Sequence, residues 1–152
     1  MKVRKSENGH GLINTFKIWK YIFNKRELLQ PLMSERSIVV RPWGTYEVLH
    51  QRSGEPFLIK KIVVEPESRL SLQTHMHRSE HWVVISGRGE AVIGDDTLVL
   101  GPGTHVFIPK NTKHRLINPN DSTILEIVEV QCGEILSEDD IFRHEDDYQR
   151  NQ

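Results

Sequence analysis

The sequence predicts an all-β sandwich or barrel of the jelly-roll kind, and three observations carry that expectation. From Ile38 onward apolar and polar residues alternate with a period of two, in short runs rich in β-branched and aromatic side chains. Turn-forming pairs separate the runs. No stretch of helical period falls between one run and the next, as a parallel α/β sheet would require.

The runs are taken in order. Strands are expected over 38–41 and 45–49, then over 57–65 beyond the Ser53-Gly54 turn, and over 69–75 beyond Glu65-Pro66. Further strands are expected over 81–86 and 89–93, parted by Ser86-Gly87, and over 97–100 after Gly94-Asp95. The Gly101-Pro102-Gly103 turn leads to 105–108, and Asn118-Pro119 separates 114–117 from 124–131. The acidic stretch 137–142 reads as a short helix or turn opened by a Ser137 cap.

The first part of the chain has another texture. Leu12, Ile13, Phe16, Trp19, Ile22 and Phe23 recur at three- and four-residue spacing with Lys17, Lys20, Lys25 and Arg26 between them, the pattern of an amphipathic helix that Asn14 or Thr15 caps and Pro31 stops. A stripe of this kind packs on its own domain or on a partner subunit more often than on a membrane surface. The expected organisation is an N-terminal helical extension over 1–36 and a β-domain over 37–152.

The chain has 152 residues, enough for one core and too few for two. A net charge of −1 offers no attraction to polyanions, so the expected partner is a small molecule and not nucleic acid. One cysteine, Cys132, cannot build an internal disulfide framework, and no apolar run reaches the roughly 18 to 20 residues of a membrane span. With no signal-peptide layout at the start, the sequence reads as soluble and cytoplasmic.

The chemistry concentrates between Leu70 and Trp82. Strand alternation sends Gln73, His75 and His77 to one face and Leu70, Leu72 and Thr74 to the other. A turn at Arg78-Ser79 then brings Glu80 alongside, and His114, beyond Pro109 and Asn111, closes the set from a distant strand. An amide oxygen, a carboxylate and two imidazoles form a mixed N/O site for one divalent ion, Zn²⁺ foremost, with Mn²⁺, Co²⁺ or Fe²⁺ also suited.

These residues resemble the two motifs of the cupin superfamily. Gln73-x-His75, four residues, Glu80, six residues and Gly87 follow the first motif, with Gln73 in place of its first His and Glu67 in place of its opening Gly. Gly103, Pro109, Asn111, His114 and Asn118 follow the second, with Asn111 in place of a Gly. The Gln-x-His start is similar to the type II mannose-6-phosphate isomerases, the isomerase domains of bifunctional bacterial enzymes. Arg41-Pro42-Trp43-Gly44, His77-Arg78-x-Glu80-His81-Trp82, His114-Arg115-Leu116, Glu129-Val130-Gln131 and Glu138-Asp139-Asp140-Ile141 fit the same branch. Cys132 and Gln149 stand where that branch usually has Ser and Gly.

The resemblance implies a cupin barrel whose metal ligands are Gln73, His75, Glu80 and His114, interconverting mannose 6-phosphate and fructose 6-phosphate. His77, His81 or Glu80 is then the expected base. The sugar phosphate falls to Arg78, beside the ligands, with Lys60 and Arg143 next. Trp43 and Trp82 are expected in the core, and His10, His50 and His144 outside the site. No Gly-rich phosphate loop accompanies these motifs, so guanylyltransferase activity is not expected. The competing readings are a metal-free epimerase, an Fe²⁺ oxygenase and a non-catalytic sugar-binding cupin. A homodimer is the expected assembly.

Overall fold

In the computed structural model residues 38–150 are described, and the amphipathic helix read over 12–23 lies outside them, as does the boundary drawn at residue 36. Period-two alternation becomes twelve strands and one 3-10 turn, as expected of an all-β chain. They are β1 (Ile38–Arg41), β2 (Gly44–Gln51), β3 (Phe57–Val64), β4 (Ser68–Arg69), β5 (Leu72–Thr74), β6 (Arg78–Ser86) and β7 (Gly89–Ile93). Beyond them run β8 (Asp96–Leu100), β9 (His105–Ile108), β10 (His114–Asn118), β11 (Leu125–Gly133), the turn Glu138–Asp140 and β12 (Phe142–Glu145). Two sheets result, ordered β1-β2-β3-β11-β6-β9 and β12-β5-β10-β7-β8, with β4 also paired to β10. All the pairings are antiparallel.

Between the sheets the inward side chains of alternate positions form the core. Ile62 and Val64 on β3, Trp82 and Val84 on β6, Leu116 on β10, and Leu125 and Ile127 on β11 are all buried there, with Trp43 from the β1–β2 turn. Each such side chain contributes about 1.5–3 kcal/mol when taken from water. Among the described residues no helix is long and apolar enough to cross a membrane.

Three departures from the sequence reading matter for the site. The strand expected over 69–75 breaks at Leu70 and Ser71, both buried, into β4 and β5. The turn expected at Arg78-Ser79 lies instead at Met76 and His77, so Arg78 opens β6 and points inward with Glu80 and Trp82. The acidic stretch holds a 3-10 turn in which the Ser137 hydroxyl caps no backbone N–H and donates instead to Asp139 Oδ2 at 3.4 Å, and it runs on into β12, which had no strand-like pattern.

The motif departures carry a backbone signature. Glu67, Asn111 and Gln149 have φ of 52°, 60° and 51°, the left-handed region where glycine costs least, and these are the non-Gly residues with positive φ among those described. At all three the resembled pattern has Gly.

Candidate metal centre

The site is assembled from both sheets at one end of the barrel. β5 delivers Gln73 and the bend after it delivers His75; β10 delivers His114, paired in register with Gln73; β6 delivers Glu80 from the facing sheet. His75, Glu80 and His114 are buried, and one ligand atom from each lies within 4.8 Å of the other two.

Hydrogen bonds fix both imidazoles. His75 Nδ1 lies 2.9 Å from the Asp140 carbonyl and His114 Nδ1 lies 2.8 Å from the Thr112 carbonyl. A carbonyl only accepts, so each Nδ1 carries the proton and each Nε2 presents a lone pair to the interior. His75 Nε2 is 3.0 Å from Glu80 Oε1, His114 Nε2 is 3.6 Å from Glu80 Oε2, and His114 Nε2 has no hydrogen-bond partner. Arg78 Nη2 approaches His75 Nε2 at 3.4 Å, whereas the His114 lone pair is left without a donor; two imidazole nitrogens and a carboxylate converging in a buried spot are a donor set that fits a divalent ion. The Gln73 amide reaches His75 Nε2 at 3.5 Å while its oxygen accepts from Ser71 Oγ at 2.9 Å. The Ser71 hydroxyl can also accept, so the amide can turn its oxygen toward the cluster and keep that bond.

Electrostatics agree with the geometry. Burial pushes the His114 ring below the ordinary histidine value, which favours the neutral form that can bind a metal. Burial would raise Glu80, yet its polar surroundings, the Arg78 guanidinium among them, hold its carboxyl far below the usual range. Gln131 Nε2 and Trp82 Nε1 each donate to Glu80, both at 3.2 Å.

Arg78 is 2% exposed and wedged into this network, with Nε 3.3 Å from Glu80 Oε1, Nη1 2.9 Å from the Ser137 carbonyl and Nη1 3.6 Å from Asp140 Oδ2. Lys60 on β3 and Arg143 on β12 line the same cavity. The structure does not bring His77 or His81 to the cluster. His77 follows the bend, where strand alternation has already failed, and its Nδ1 bonds Asp140 Oδ1 at 2.8 Å on the far side of the turn. His81 sits between inward Glu80 and Trp82, so it faces outward, against His105 and Phe107. Of the four expected ligands, Gln73 and Glu80 line the neighbouring cavity, and neither His77 nor His81 does. Trp43 and Trp82 are in the core as expected, and His50 and His144 are held by Glu55 and Thr74 away from the site.

Residues 30–146 match the family described as Mannose-6-phosphate isomerase C-terminal. The chain belongs to the mannose-6-phosphate isomerase C-terminal family. A similar protein is the xanthan biosynthesis protein XanB of Xanthomonas campestris pv. campestris, 47% identical over 112 residues, 74% of this chain and 23% of that one. The alginate biosynthesis protein AlgA of Pseudomonas aeruginosa is also 47% identical over 112 residues, with the same two shares, 74% and 23%. The chain thus spans about a quarter of the length of the curated relatives it matches. Among solved structures, a cupin-2 domain from Rhodospirillum rubrum superposes with a TM-score of 0.54 at 24% identity, covering 69% of each chain. The capsular polysaccharide assembling protein CapF of Staphylococcus aureus gives 0.62 at 17% identity over 71% of this chain and 32% of its own. Both likenesses speak to the cupin fold alone.

Within this family barrel, several cavity residues escaped the sequence reading. Glu129 and Gln131 on β11 project inward; Gln131 Nε2 donates to Glu129 Oε1 at 2.7 Å and Trp82 Nε1 to Glu129 Oε2 at 3.1 Å. Burial and the neighbouring Glu80 push the Glu129 carboxyl up to about 8. Arg41, Tyr46, Glu138 and Arg150 also line the cavity. A signal for Glu129 and Gln131 did exist: they continue the parity of buried Leu125 and Ile127, so polar groups occupy positions whose alternation points them into the core.

Proposed function

We propose that this chain is a metal-dependent aldose–ketose isomerase that interconverts mannose 6-phosphate and fructose 6-phosphate in the cytoplasm. The observation that carries the proposal is the pair of imidazole Nε2 atoms facing the Glu80 carboxylate in a buried cluster, with Glu80 also lining a cation-rimmed cavity. Family membership supports the sugar, since the family is described by that isomerase.

The reaction moves a proton between C2 and C1 of the sugar while negative charge grows on oxygen. Gln73, His75, Glu80 and His114 would hold a divalent ion, which when bound supplies Lewis acidity toward those oxygens. Asp140 and Thr112 fix the two rings through their carbonyls, so that the lone pairs are aimed before any ligand arrives. Arg78 offsets the charge of Glu80 and thereby keeps a carboxylate ionised in a buried place. Glu129 is the cavity carboxyl that stands beside the ligands without belonging to them, within reach of Lys60, Trp82 and Gln131. Its position suits it to hold and return the migrating proton. The buried barrel walls keep bulk water from exchanging that proton.

The test is isomer exchange by the purified chain, followed by proton NMR, with and without a chelator. Exchange that stops on chelation and returns with a divalent ion is the expected result. Full activity in metal-free protein overturns the proposal, and saturable sugar-phosphate binding without exchange moves the reading to a non-catalytic sugar-binding cupin.

A further inference from the structure

Three cations, Lys60, Arg41 and Arg78, line the same cavity as the Glu138 carboxylate. Glu138, the first residue of the 3-10 turn, accepts from Lys60 Nζ at 3.0 Å. Arg41 and Arg78 act on it as well: burial works to raise its carboxyl, and the charges of Lys60, Arg41 and Arg78 hold it below the usual range. Lys60 itself is only 8% exposed and lies 4.8 Å from the centre of the Tyr46 ring, so its charge needs an anion beside it.

The turn anchors its two ends very differently. The Asp140 side chain is 3% exposed and takes the Met76 and His77 amides at 3.1 and 3.2 Å, His77 Nδ1 at 2.8 Å and Arg78 Nη1 at 3.6 Å. The Glu138 side chain is 47% exposed and leans on Lys60. It can therefore swing to solvent while Asp140, and with it His75, stays in place. The present opening is small, about 50 Å³ against the roughly 300–1,000 Å³ of pockets that take small organic ligands, and moving Glu138 outward would widen it.

We propose that Lys60, Arg41 and Arg78 form the subsite for the phosphate group of the ligand, that the Glu138 carboxylate occupies it in the present arrangement, and that phosphate enters by displacing Glu138. The identity of the ligand rests on the sugar-phosphate reading above; the anion subsite rests on the cation cluster alone. A carboxylate and a phosphate oxygen make the same charge-assisted bonds to Lys and Arg, so one is a natural competitor of the other.

Calorimetric titration of the purified full chain with inorganic phosphate, mannose 6-phosphate and mannose tests this. Glu138→Gln, which removes the competing charge, is expected to tighten both phosphate ligands by roughly two- to fivefold, the scale of a half-exposed ion pair. Lys60→Met is expected to weaken both by about tenfold or more, and the gain from Glu138→Gln should vanish in the Lys60→Met background. Mannose should respond to neither change. If Lys60→Met fails to fold, Arg41→Gln, at a half-buried position, carries the same comparison. No gain in Glu138→Gln, or an equal gain with Lys60 or Arg41 removed, overturns the subsite. Isomer exchange without these effects retires the subsite and leaves the reaction; these effects without exchange retire the reaction and leave the subsite.

Discussion

The inward side chains of β11 run Leu125, Ile127, Glu129, Gln131, and the change of chemistry halfway along divides the barrel interior into two regions. Around Leu125 and Ile127 lie Val64, Val84, Ala91 and Leu116, each at most 2% exposed. Around Glu129 and Gln131 lie Lys60, Arg78, Glu80, His75 and His114, nearly as buried and almost all ionisable. The same alternation builds both regions, and register alone carries one into the other: Ile127 pairs with Ile62 and Val84, Glu129 with Lys60 and Trp82, Gln131 with Leu58 and Glu80. Burying charges costs free energy even when they are paired. The polar region is therefore held in shape by the apolar one, and the protein's stability and its chemistry occupy opposite ends of the same strands.

Substitutions in the two regions should then act on different observables. The largest effect is expected for His114→Ala, which removes a neutral imidazole from the cluster: bound metal, measured after desalting, should fall by more than about a hundredfold in affinity and exchange should disappear. Unchanged metal content would break the division. In the apolar region Leu125→Ala should cost about 2–5 kcal/mol in urea unfolding while the folded fraction keeps its metal. Glu129→Gln should do the reverse, lowering turnover by about a hundredfold with metal content preserved; equal loss of both would make Glu129 a ligand-supporting residue instead.

A smaller effect sharpens the comparison at the segment that closes the polar region. The hydrogen bond from Arg150 is the main reason the Asp146 carboxyl sits below its ordinary value of 3.8, with burial opposing it. A folded value below the unfolded one means that the stabilisation is complete above about pH 4 and is lost as the pH falls through the folded value. Asp146→Asn should lower the thermal midpoint at neutral pH, and the gap to the parent should close on acidification to about pH 2. A gap independent of pH would show that the pair does not titrate as argued. The smallest changes concern the left-handed residues: Glu67→Gly and Gln149→Gly should each stabilise by about 1 kcal/mol, and Asn111→Gly by less, since Asn tolerates that geometry.

Much of the fold was legible because alternation is a local property. Trp82 and Val84 had to face one way and His81 and Val83 the other, whatever lay across the sheet. The motifs singled out Gln73, His75, Glu80 and His114 as the expected ligands, and the fold brings His75, Glu80 and His114 together. His77 was misplaced because alternation holds only inside a strand, and the chain bends at Met76. His81 was misplaced for the opposite reason: its strand is regular, and parity with Glu80 excluded it from the interior. The Glu138-Asp139-Asp140-Ile141 match marked the stretch, but nothing in the local pattern signalled the role of Asp140. An acidic residue in an acidic tail reads as solvated, and only the long-range return of the chain after β11 brings its carbonyl to His75 and its carboxylate to the bend.

Trp82 offers a practical consequence. Its indole N–H is shared between Glu80 and Glu129, and its ring centre lies 5.7 Å from that of His114. The excited indole is sensitive to the charge of such neighbours and is extinguished by a paramagnetic ion at that range. The barrel therefore contains its own optical gauge: titrating Co²⁺ and reading tryptophan emission follows occupancy of the cluster without label or substrate, as a change on top of the emission of the other two tryptophans, Trp19 and Trp43.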